Sequence, residues 1–212
     1  MMEQNGKRRT LYSWLVLGVF LLLPPISFGN LPWYTAPLGA LVLFFTLLPL
    51  SRLLPGLKKL IPLTLLLALA YALALYGFLT EGKEALFTKW SQWAGGVLAL
   101  CFLFVLWRES SRAMRQAAPG WRDKARGPIL RYVAVGGAGI LLSIILLLAS
   151  GKNQFTYAFH FPVASSWIVI LLLIAVMLFL NLHMLWGVWY LGCPAPERPD
   201  GVASPDQGIQ GE

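Results

Sequence analysis

Two histidines, two cysteines and nine carboxylates are the side chains in this sequence best suited to moving protons or holding a metal. His183 lies deep in an apolar run, with Asn181 two positions before it. On a helix that spacing turns the two side chains about 200° apart, so they do not converge on one ligand. The other histidine, His160, is 23 positions from His183, or about 34 Å along a helix, too far for both to ligate one haem iron or metal ion. The expected role of Asn181 and His183 is therefore packing, as interhelical polar contacts in lipid. Cys101 falls inside an apolar run and Cys193 beside the C-terminal tail, so no disulfide is expected between them.

The carboxylates are informative by position. Glu3, Glu81, Glu84, Glu109, Asp123, Glu197, Asp200, Asp206 and Glu212 all fall outside the long apolar runs. Proton relays, ion-coupled carriers and intramembrane aspartyl proteases use a carboxylate within the membrane-spanning region, so those classes are not expected. The chain carries no His-Glu-x-x-His, Gly-x-Ser-x-Gly or phosphate-cradling glycine motif, and we assign no catalytic residue, metal ligand or cofactor site.

Two clusters could bind something. Arg108, Arg112 and Arg115 are spaced by four and three and so share a helix face; Pro119 and Gly120 then break the chain before Arg122, Lys124 and Arg126. Such a cluster beside a span is a candidate contact for anionic lipid headgroups or a partner, or it acts only as a topology signal. Nucleic acid is not an expected partner, because no folded module presents these residues to it. The second cluster is Phe155, Tyr157, Phe159, His160 and Phe161. Its alternation of period two sets four rings on one side of an extended strip and His160 on the other. That pattern suits a strip lying in the membrane interface, or a ledge over the outer mouth of a bundle.

The elements that position these residues follow from composition. With 58% apolar and 12% charged residues, the chain is far more apolar than a water-soluble domain of ordinary composition. A span needs about 20 apolar residues. Six runs qualify: Leu11 to Phe28, Trp33 to Leu50, Leu60 to Leu79, Trp90 to Trp107, Tyr132 to Ala149 and Val163 to Leu191. The expected fold is all-α: a polytopic membrane helix bundle of about six transmembrane helices over residues 11–191, flanked by an N-terminal segment 1–10 and a disordered tail 192–212 rich in proline and glycine. Pro24, Pro25, Pro37 and Pro49 fall within the first two spans, where lipid-embedded helices tolerate them.

Basic residues test the count independently. Fourteen of the Lys and Arg residues fall on one side of the expected bundle and three (Lys83, Lys89 and Lys152) on the other. The positive-inside rule then puts both termini in the cytoplasm, with the protein in the cell membrane. A cleavable signal peptide with Leu11 to Leu23 as its apolar core is the competing reading of the N-terminus. Small residues mark expected helix contacts: Ala68 with Ala72, Ala70 with Ala74, Gly95 with Ala99, and the Gly136, Gly137 and Gly139 group. Short loops and the placement of the carboxylates point to a non-enzymatic subunit, scaffold or assembly factor of a membrane complex, with lipid and other membrane proteins as partners. The alternative is a small permease subunit for a neutral or apolar solute, and the third reading is a membrane-embedded enzyme acting on lipid.

Overall fold

The structure is a computed structural model that describes residues 2–22, 31–82, 86–117, 122–150 and 163–193. All of the helices run in one bundle: α1 (Met2–Leu22), α2 (Leu31–Leu53), α3 (Leu60–Thr80), α4 (Leu86–Ala117), α5 (Arg126–Ser150) and α6 (Val163–Leu191), with a 3-10 turn, Pro55–Lys59, joining α2 to α3. Each helix packs on the next in sequence, and α6 returns to α1, so the helices close a ring; α6 also touches α4. The expected ledge residues Phe155, Tyr157, Phe159, His160 and Phe161, the Pro24–Pro25 break and the tail from Pro194 lie outside the described residues.

The pattern of α3 reveals the solvent this bundle is built for. Its inward face carries Leu60, Thr64, Leu67, Ala70, Ala74 and Gly77, while Leu65, Leu69, Leu73 and Tyr76 on the other face are 40% or more exposed. The outside is bulkier and no less apolar than the inside. A helix with no polar face at the surface of a bundle is at home in lipid, where close packing of small residues replaces the hydrophobic drive. Four described stretches are long and apolar enough to cross a membrane: Tyr34–Leu53, Pro55–Thr80, Leu86–Gln116 and Ile174–Leu191. The other two helices carry charge at their starts, α1 with Lys7, Arg8 and Arg9, and α5 with Arg126 and Arg131.

Several helices outrun the apolar segments that predict them, α1 and α4 by the most. α1 begins before Leu11, so the basic triplet Lys7–Arg9 is helical rather than a separate leader to the span. α4 continues ten residues past Trp107 to Ala117, carrying Glu109, Ser110 and Ser111 inward with it. α2 passes unbroken through Pro37 and Pro49.

The crossing of α1 over α2 is a backbone contact. A Cβ built on Gly39 would lie 2.8 Å from the carbonyl oxygen of Gly18 and 2.9 Å from the amide nitrogen of Leu22. Neither atom can yield without bending a helix, so glycine at 39 is what lets these helices touch. Below the crossing, Tyr12, Leu15 and Val19 of α1 interleave with Leu43, Leu47 and Leu50 of α2 in one continuous core, which also takes in Phe102 and Leu106 of α4. The core is uneven. Among the described side chains of α6, the buried apolar ones, Met184, Val188 and Leu191, come from its last turns, whereas Leu171, Leu172, Val176, Phe179 and Leu182 before them are exposed.

Candidate functional site

The polar residues gather where α4 leaves the apolar zone, and each face of its last turns meets a different element. Toward α1, the Ser110 hydroxyl lies 2.7 Å from that of Tyr12, both side chains fully enclosed. One turn on, the Met114 sulfur accepts a hydrogen bond from the Arg8 guanidinium at 2.7 Å. The same Arg8 nitrogen donates to the carbonyl of Leu191 at 3.1 Å. That carbonyl is the last of α6, where the helix dipole favours a cation. Arg8 thus closes the ring, tying the start of α1 to the end of α6. Arg9 lies over the Trp189 ring at 5.7 Å, a second α1 to α6 contact of cation–π type.

Toward α5, the Trp107 indole N–H donates to Asp123 Oδ2 at 3.0 Å. Asp123 Oδ1 accepts from the backbone N–H of Arg126 at 3.1 Å, capping the first turn of α5. The Arg115 guanidinium approaches the same carboxylate at 3.6 Å; the Asp123 side chain is 7% exposed and that of Arg115 60%. The Tyr190 hydroxyl of α6 donates to the carbonyl of Arg122 at 3.4 Å. One carboxylate therefore fixes the return from α4 into α5.

Toward the α2–α3 turn, Glu109 takes a similar part. Its side chain is 10% exposed and its carboxylate lies 3.9 Å from the Lys59 ammonium. A Cβ on Gly56 would come within 2.9 Å of Glu109 Oε2, so the glycine makes room for the carboxylate against the turn. Together these contacts bring the start of α1, the α2–α3 turn, the α4–α5 return and the end of α6 to one end of the bundle.

The six basic candidates all sit on the exposed side of this end. Arg108, Arg112, Arg115, Arg122, Lys124 and Arg126 are each exposed, and the first three share a face of α4 as their spacing requires. Arg115 differs from the others in being drawn to Asp123. His183 and Asn181 are half-buried on α6. The imidazole is stacked between Phe179 (centroids 5.4 Å apart, planes 13°) and Trp186 (5.9 Å, 7°), and Trp186 in turn stacks on Tyr190. His183 is thus part of a column of rings along its own helix. Among the described residues, the hydrogen bonds to another helix expected of Asn181 and His183 are not formed.

Cys193, just past α6, directs its thiol toward the carbonyl of Trp189 at 3.9 Å. Burial pushes the thiol above its ordinary range, and the nearby Arg9 charge partly opposes the shift. Among the described residues, no group of three His, Cys, Asp or Glu side chains lies close enough to hold a metal ion.

Glu109 and Asp123 are the residues that sequence reasoning undervalued by counting them only as acids outside the spans. Signals for both exist. Glu109 lies three positions after Leu106 and seven after Phe102, the spacing of one helix face, and both of those residues are fully enclosed. Asp123 stands three before Arg126 and five before Pro128, a helix-start signature. Compared with known proteins, the chain matches no protein-family model, no curated protein and no solved structure.

Proposed function

We propose that this chain is a multi-pass protein of the cell membrane that crosses it six times with both termini in the cytoplasm, and that it serves as a non-enzymatic subunit, scaffold or assembly factor of a membrane complex. What supports the topology is the agreement between charge and contact. The segments that carry most of the Lys and Arg residues are the ones that Arg8, Lys59 and Arg115 tie together at one end of the bundle, the end that the positive-inside rule assigns to the cytoplasm. Enclosure of Tyr12, Leu15 and Val19 in the core supports α1 as a retained helix rather than a cleaved signal.

One observation carries the subunit reading. On α5, Ala134 and Ala138 are exposed one turn apart, and a Cβ added to Gly137 between them would meet nothing within 4 Å among the described residues. The neighbouring Gly136 is used internally, its missing side chain filled by Leu100 of α4 at 3.0 Å. A helical glycine costs about 1 kcal/mol relative to alanine, and in lipid it is offset where another helix packs closely on it. Within this chain, Gly137 has no such neighbour among the described residues, so its face suits a helix from another protein.

The test is recovery of a stoichiometric partner in mild detergent from cells carrying wild type or Gly137→Leu. A complex present in wild type and lost in the variant, with unchanged thermal stability of the isolated chain, supports the proposal. A lone, stable chain in both preparations removes its basis.

A further inference from the structure

The exposed face of α4 changes character along a single line. Val97, Cys101 and Phe104 occupy it first, Arg108 and Arg112 follow, and the steps are four, three, four and four residues. All five are exposed, with Val97 at 45% and Phe104 at 39%. An apolar stripe that turns cationic within one helical turn marks the level at which hydrocarbon gives way to headgroups. Four other cations at this end are committed within the protein: Lys59 to Glu109, Arg115 to Asp123, Arg8 to the end of α6, and Arg9 to the Trp189 ring. Arg108 and Arg112 have no such contact among the described residues. Being one turn apart, they can close on one phosphate. Arg122 and Lys124 are held nearby, because Trp107 and Arg115 both anchor Asp123 between them.

We infer that Arg108 and Arg112 form a headgroup site for an anionic phospholipid of the cytoplasmic leaflet, its acyl chains lying along Phe104, Cys101 and Val97. The site rests on the topology proposed above. An apolar stripe leading straight into a pair of cations fits a molecule with a phosphate at one end and hydrocarbon at the other. An acidic protein segment would match the cations but not the stripe. Arg115 is not part of the site, since its guanidinium is shared with Asp123.

The experiment uses the full chain in nanodiscs of phosphatidylcholine with and without phosphatidylglycerol, reading retained lipid by native mass spectrometry. The double variant Arg108→Gln/Arg112→Gln should lose retained phosphatidylglycerol by roughly 25-fold in affinity, about five-fold for each cation near an anionic surface. Phosphatidylcholine should be unaffected, and the charge-preserving Arg108→Lys/Arg112→Lys should retain the anionic lipid. Unchanged phosphatidylglycerol retention in a correctly oriented glutamine variant overturns the site, as does equal loss in the lysine variant or loss of an acidic protein instead of lipid. Orientation is read separately: a cysteine at Arg122 that reacts with an impermeant reagent in intact cells contradicts the topology itself.

Discussion

The Tyr12 hydroxyl of α1 and the Ser110 hydroxyl of α4 lie 2.7 Å apart, fully enclosed and 98 positions apart in the chain. The pair is a buried polar link between the two helices and so fixes how far α1 slides along α4. Arg8 and Met114, one turn nearer the same end of the bundle, join the two helices again in the same register. The basic start of α1 is thereby held against the ends of α4 and α6.

Removing the hydroxyl tests that register. Tyr12→Phe should lower stability in detergent by about 0.5–1.5 kcal/mol, the range for a buried hydrogen bond between helices, and Ser110→Ala by a similar amount. The double variant should cost less than the sum of the two. Additive losses in a thermal or denaturant titration would mean that the hydroxyls do not interact.

Asp123 should matter more than its place in a basic loop suggests. Asp123→Ala removes the acceptor for the Trp107 indole and the cap on α5 together, a loss of about 1–3 kcal/mol. Limited proteolysis should then cut faster among Arg122, Lys124 and Arg126. Wild-type cutting rates and an unchanged melting curve would show that the return is held by other contacts.

Cys193 supplies a pH dependence. Its thiol is raised by burial, so less of it is thiolate near neutral pH than in a free cysteine, and alkylation should be slower there. The rate should still be climbing at alkaline pH where a free thiol has levelled off. Arg9→Gln removes the charge that partly offsets burial, and should slow the reaction further. A rate profile identical to that of free cysteine, measured by mass spectrometry, would contradict the placement of the thiol.

The helices were legible because lipid demands long apolar runs, and those from Trp33, Leu60, Trp90 and Val163 each lie within one helix of the structure. Their ends were less so. Hydropathy loses its signal where Arg108 begins, yet α4 continues for another ten residues, since its polar turns remain buried against α1 and the α4–α5 return. The exposed basic face followed directly from helical spacing. The acidic anchors did not, because Glu109 and Asp123 are buried by tertiary contacts with Gly56, Lys59 and Trp107, which lie at a distance in sequence. His183 was expected to contact another helix, whereas the rings it stacks on, Phe179 and Trp186, lie four and three positions away on its own.

Orientation is most directly measured by cysteine accessibility in intact cells, in a background in which Cys101 and Cys193 are replaced. Lys152→Cys, between α5 and α6, should react with a membrane-impermeant maleimide added outside, while Gly208→Cys in the tail should react only after the membrane is opened. Protection of position 152 with labelling of position 208 in sealed cells would invert the bundle, and labelling of both would break the count of six crossings.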